Sequence, residues 1–135
     1  MAAANAKISS FRDLDVWQLG MEIVLDVYRL AGSFPPQEAY GLCSQIKRAV
    51  VSIPSNIAEG FRRSHGREYR QFLHVALGSC AEVETQSEIA ASLGYASRQA
   101  VDALLEKLDH ESRMLRNLIK KLGSAHDARQ DANEE

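Results

Sequence analysis

The stretch Val51-Ser52-Ile53-Pro54-Ser55-Asn56-Ile57-Ala58-Glu59-Gly60-Phe61-Arg62-Arg63 spaces its apolar side chains like a helix, yet sets a proline, an asparagine and a glutamate inside the pattern. A proline inside a helix removes one backbone donor and clashes with the carbonyl four residues earlier, at a cost of about 3 kcal/mol unless the surroundings compensate. Read outward, Tyr40, Cys43, Ile46, Val50, Ile53, Ile57 and Phe61 continue one stripe. The segment is therefore a helix, and its polar insertions call for partners supplied by the fold.

The flanking segments repeat the helical period. Leu14, Trp17, Met21, Val24 and Tyr28 form one stripe, and Val16, Ile23, Val27 and Leu30 an adjacent one, so a first helix is expected over about Asp13 to Ala31. Its apolar arc is wider than one packing seam requires. Gly32-Ser33-Phe34-Pro35-Pro36 stops that helix and starts the second, because proline is tolerated in a first turn and not beyond it. Ser64-His65-Gly66 breaks the second helix, and Tyr69, Phe72, Leu73, Ala76, Cys80, Val83 and Ala90 define a third that Gly94 closes. Ser97 is placed to cap a fourth, whose Val101, Leu104, Leu108, Leu115, Leu118 and Leu122 keep a near-heptad spacing. Short links between four long helices predict an all-α, antiparallel up-down-up-down four-helix bundle over residues 13–122. Residues 1–12 are expected to be flexible and 123–135 to form a disordered polar tail, since neither carries apolar periodicity.

Composition agrees with one domain: 135 residues, 45% apolar and 25% charged, with a formal net charge of -2. No run approaches the roughly 18 apolar residues of a membrane span, and Met1-Ala-Ala-Ala-Asn-Ala-Lys7 lacks the order of a secretory signal, so a cytoplasmic protein is expected. Cys43 and Cys80 fit neither a metal-ligand spacing nor a disulfide framework and read as reduced core residues.

Tyr40-Gly41-Leu42, Gln45-Ile46-Lys47-Arg48-Ala49, Ser52 to Gly60 and Gly78-Ser79-Cys80-Ala81-Glu82, with the opening Phe11-Arg12-Asp13-Leu14-Asp15-Val16-Trp17, together resemble the four-helix bundle family encoded in intervening sequences of bacterial 23S rRNA genes. The resemblance spans about residues 11–122. It implies a small cytoplasmic helical bundle that assembles as a ring-shaped homopentamer and has no established enzymatic activity. A related branch serves as the accessory protein of diversity-generating retroelements, binding a reverse transcriptase and nucleic acid through basic surface.

The residues themselves leave two readings of the motif open. If the second and third helices pair antiparallel about Ser64, Arg48 falls near Cys80 and within a turn of Ser79 and Glu82, which predicts a cross-helix ion pair with Glu82. Gly78 and Ser79 are small enough for close approach, and Asn56 or Ser55 could bond backbone groups freed by Pro54. Such a network either specifies the fold or, through Arg48, Asn56 and Glu59, lines a ligand or partner pocket.

Charge is polarised along the expected bundle. One pole collects Lys7, Arg12, Arg62, Arg63, Arg67, Arg70, Arg113, Arg116, Lys120 and Lys121, and the other Glu38, Glu84, Glu88, Asp102 and Glu106. Arg62, Arg63, Arg67, Arg70, Arg116, Lys120 and Lys121 are the candidate phosphate-binding residues, since clustered cations gain affinity by releasing counterions from nucleic acid. Solvated helix faces and dipole-favoured last turns are the competing account. Nothing points to catalysis or to a cofactor. There is no Glu-x-x-His pair for a di-iron site, no glycine-rich phosphate loop and no histidine placed to activate Ser79; His74 reads as packed or at a rim, and Glu106 with His110 as an exposed pair.

Overall fold

Several helix boundaries have an identifiable cause in the computed structural model, which describes residues 7–134. A single 3-10 turn over Phe11–Asp13 precedes α1 (Asp15–Ala31). Asp13 was expected to open the helix. Its carboxylate instead accepts the backbone N–H groups of Ser9 and Ser10, both at 3.0 Å, while Ser10 Oγ accepts from Arg12 N at 3.2 Å. This reciprocal capping box holds the Asp13 carboxyl below its usual range, the Ser9 N–H being the largest cause. Within the segment expected to be flexible, Ser9 and Ser10 are thus tied to Asp13 and Phe11 packs on Trp17 at 5.4 Å between ring centres; residues 1–6 lie outside those described.

Pro36–Glu38 forms a second 3-10 turn, and α2 (Leu42–Phe61) begins later than its apolar stripe suggested. The Glu38 carboxylate accepts from Leu42 N at 3.3 Å and sets that start. Tyr40, expected on the core stripe, is consequently in the preceding turn and 100% exposed. The third helix, α3 (Gly66–Ser92), ends in a Schellman motif. Tyr95 N donates to Ala90 O at 2.9 Å and Gly94 N to Ala91 O at 3.1 Å, with Gly94 at φ 76, a conformation that penalises any Cβ. Ser97 caps α4 (Arg98–Glu134) as expected, its Oγ accepting from Ala100 N at 3.1 Å. The tail expected to be disordered from Gly123 continues this helix to Glu134. Leu118, Ile119 and Leu122 still pack on the core as the helix reaches Gly123, and the alanine, arginine, glutamine and glutamate that follow are strong helix formers.

Consecutive helices pack side by side, α4 closes on α1, and the backbones of diagonal helices stay apart among the described residues, which is the up-down-up-down bundle. Every helix contributes a stripe at three- and four-residue spacing. Ile23 and Val27 of α1, Ile46, Val50, Ile53 and Ile57 of α2, Leu73 and Val83 of α3, and Leu108 and Leu115 of α4 are all fully buried. The α2/α3 seam is close because its residues are small. A Cβ on Gly60 would lie 2.8 Å from Phe72 Cβ and 3.2 Å from Tyr69 O. Cys80 is buried as expected, Cys43 is only half-buried, and both are free thiols.

Candidate interaction surfaces

The motif of α2 and α3 resolves into a directed hydrogen-bond chain. Asn56 Nδ2 donates to Ser52 O and Ser52 Oγ, both at 2.8 Å; Ser52 Oγ and Ser79 Oγ are 2.8 Å apart; Ser79 Oγ donates to Val75 O at 3.1 Å. Each hydroxyl has one proton, so Ser79 donating to Val75 leaves Ser52 as donor to Ser79, and every donor is used. Ser79 is buried and Ser52 half-buried, so this chain fixes the α2/α3 register. Asn56 does not serve the carbonyl that Pro54 frees, which belongs to Val50; it bonds the Ser52 carbonyl one turn back from itself. The expected Arg48–Glu82 ion pair does not form among the described residues. Both side chains line one shallow groove with Gln45, Ala49, Ser52, Ser79 and Gln86, so the antiparallel register is right, yet both are exposed and remain solvated. Glu59 turns away from that groove to pair with Arg63. Arg48, Ser79 and Glu82 are thus brought together, Asn56 reaches them only through Ser52, and Glu59 does not join them.

At the basic pole the arginines differ in what holds them. Arg63 lies over the Phe72 ring at 5.0 Å and is neutralised by Glu59 and, at 4.0 Å, Glu68. Arg12 and Arg62 instead flank the Phe11 ring, at 4.6 and 5.3 Å from its centre, with no carboxylate partner among the described residues. Arg70 is half-buried, its Nε lacks a partner among the described residues, and a Cβ on Gly123 would be 3.0 Å from its Nη1. Arg67, Arg116, Lys120 and Lys121 are exposed, whereas Arg113 pairs with Asp109 at 3.1 Å. The acidic pole is partly neutralised, because Arg98 bonds both Glu88 and Asp102 at 2.8 Å and holds the Glu88 carboxyl below its usual range. His74, Glu106 and His110 are exposed.

A third surface lies between α1 and α2. Trp17, Met21, Val24, Val51, Pro54, Ser55 and Ala58 line an open groove of about 350 Å³, with Met21 38% and Val51 40% exposed. Leu25 and Tyr28 extend this apolar face, and Lys47 Nζ sits 5.0 Å from the Tyr28 ring centre. Pro54 contributes its ring here, so the residue that weakens the helix ladder also shapes the outer surface. Another cavity, about 670 Å³, lies between the end of α1 and the start of α4, but its charges are already paired: Lys107 with Asp26 at 2.7 Å, and Arg29 with Asp26 at 3.3 Å.

One functional group escaped the sequence reading. Glu111 is not among the residues singled out from the sequence, yet it is 0% exposed and neither carboxyl oxygen has a hydrogen-bond partner among the described residues. It faces Gly20 of α1, where a Cβ would lie 2.9 Å from Glu111 Oε2, and it is close enough to Cys80 of α3 to help push that thiol up to about 12, behind the larger effect of burial. Burial alone pushes the Glu111 carboxyl up to about 8. The signal was present: the spacing 101, 104, 108, 115, 118, 122 passes through 111.

Among the described residues no cluster of histidine, cysteine or acidic side chains could hold a metal ion, and no helix is long and apolar enough to cross a membrane. No curated protein matches the chain. A crystal structure of a protein of unknown function from the S23 ribosomal protein family of Bacteroides thetaiotaomicron superposes with a TM-score of 0.73 at 22% identity, covering 78% of this chain and 98% of that one, which establishes the shared fold. The family described as 23S rRNA-intervening sequence protein matches residues 12–117, a span that runs from the turn before α1 into α4 and takes in the serine chain, the Pro54 groove and Glu111. The chain belongs to the 23S rRNA-intervening sequence protein family.

Proposed function

We propose that this protein is a non-enzymatic homo-oligomeric scaffold or binding module. The observation that carries the reading is the uncovered α1/α2 face, where Met21, Leu25, Tyr28 and Val51 are each more than a third exposed around one groove. A contiguous apolar face of this kind is characteristic of an interface, and a stable one buries on the order of 1,600 Å² in total. A ring of five copies is what the family resemblance implies. Light scattering at micromolar concentration tests it: a mass several times that of the 15.0 kDa chain is expected, and a monomer mass refutes it.

A second reading has its own observation. Arg12 and Arg62 are held by the Phe11 ring and not by acids, so their charges stay available to phosphate oxygens at the pole where Arg67, Arg70, Arg116, Lys120 and Lys121 gather. An accessory protein that grips nucleic-acid backbone, or a reverse-transcriptase-like partner carrying nucleic acid, fits this surface. Binding would fall steeply with salt and show little sequence preference. The triple charge reversal R62E/R63E/R67E should abolish it while the oligomer persists. Failure of the unmodified protein to bind at roughly 50 mM salt, where screening is weak, rejects the reading.

A further inference from the structure

Glycine weakens a helix interior relative to alanine, so a glycine there is expected to have a neighbour that needs the room. Three of the four glycines beyond the first turn of a helix do: a Cβ would meet Glu111 Oε2 at 2.9 Å from Gly20, Phe72 Cβ at 2.8 Å from Gly60 and Arg70 Nη1 at 3.0 Å from Gly123. Gly78, midway along α3, has nothing within 4 Å. One turn before it Val75 is 51% exposed, and one turn after it Glu82 is exposed without an ion partner among the described residues. Across the molecule, the α1/α2 groove has the complementary character. Its walls are apolar, Ser55 and Ala58 keep it shallow, and Lys47 at its edge has no carboxylate partner among the described residues.

We infer that the α3 ridge at Val75, Gly78 and Glu82 of one copy seats in the α1/α2 groove of the next, with Gly78 allowing close approach and Glu82 meeting Lys47. This rests on the scaffold reading and deepens it, because it names the surface that covers the groove. The two patches differ, so the contact is heterologous: each copy offers one ridge and one groove, and repetition gives a ring where the rotation between copies closes and an open filament where it does not. An isologous dimer would instead pair groove with groove.

The test uses the full chain with Cys43 changed to serine and the buried Cys80 left in place. The double variant V51C/V75C, oxidised and run on denaturing gels, should give a ladder of covalent dimers, trimers and higher species that collapses on reduction, while V51C alone and V75C alone stay monomeric on the gel. Gly78→Leu should lower the mass in light scattering to that of one chain while keeping the helical circular dichroism, since the chain itself leaves the Cβ position open. Absence of the ladder while the unmodified protein scatters as an oligomer overturns the docking alone and leaves the scaffold standing; so does a dimer from V51C alone, or an undiminished mass for Gly78→Leu. A monomeric unmodified protein overturns both.

Discussion

Replacing Glu111 with glutamine should remove a pH dependence that the bundle now carries in its centre. Glu111 is fully buried among Gly20, Ile53 and Pro54 on the α1/α2 side and Cys80 on α3, and none of these supplies a charge or a hydrogen bond to its oxygens. Burial raises its folded pKa from 4.5 to about 8. The neutral acid is therefore the form that the fold prefers. Below pH 4.5 folded and unfolded chains both hold the proton and Glu111 imposes no ionisation penalty. Between pH 4.5 and about 8 the unfolded chain ionises and the folded one does not, so stability falls as pH rises; above about 8 the loss is complete. At about 1.36 kcal/mol per unit the full loss is on the order of 5 kcal/mol, and about 3 kcal/mol of it is present at pH 7. The nearby Cys80 thiol, pushed up to about 12, stays neutral through this range and does not distort it. Urea denaturation at about pH 5, 7 and 9 reads the effect. Wild type and Glu111→Gln should be nearly equal at the lowest pH and diverge upward, the variant becoming more stable by several kcal/mol at the highest. Two curves that stay parallel within about 0.5 kcal/mol would show that water reaches the carboxyl and would refute the argument.

Gly60→Ala puts a Cβ against Phe72 and the Tyr69 backbone and should destabilise by about 1 to 3 kcal/mol, seen as a lowered melting temperature with unchanged helical content. Ser52→Ala and Ser79→Ala each break the donor chain and should cost about 1 kcal/mol, with a double-mutant coupling of about 0.5 to 1 kcal/mol because they share one bond. Arg48→Ala and Glu82→Ala should show a coupling below about 0.5 kcal/mol in the same cycle, since no ion pair joins them within the chain; a coupling of about 3 kcal/mol would mean that the groove closes in solution.

How far the residues disclosed this structure depended on whether an interaction was periodic or directional. Periodicity carried the four helices, their order and most of the core, and local chemistry carried Ser97 as a cap and Gly94 as a stop. The antiparallel register followed from turn position alone and brought Arg48, Ser79 and Glu82 to one groove. Side-chain direction did not follow, because an exposed arginine and glutamate lining one groove gain little from pairing in water. The start of α2 at Leu42 was also hidden, since Glu38 decides it by bonding back to Leu42 N and Tyr40 merely coincides with the period. Glu111 was missed for the opposite reason. Its type argued for solvent, its place in the heptad argued for the core, and only the missing side chain of Gly20 on another helix makes that place habitable.

Glu111 and Pro54 illuminate each other. At Gly20 the absent Cβ would touch Glu111 Oε2 on one side and lie 3.6 Å from Pro54 Cβ on another, so α1 closes on the proline and the carboxyl at a single point. Proline has no N–H to satisfy there and presents a rigid ring to the outer groove, while the acid fills the inner space that a glycine leaves. Two rules of local preference are broken within one contact, at the floor of the surface proposed to receive the next copy. Local stability is given up where α1 and α2 meet, and the face that results leaves Met21, Leu25, Tyr28 and Val51 to be covered.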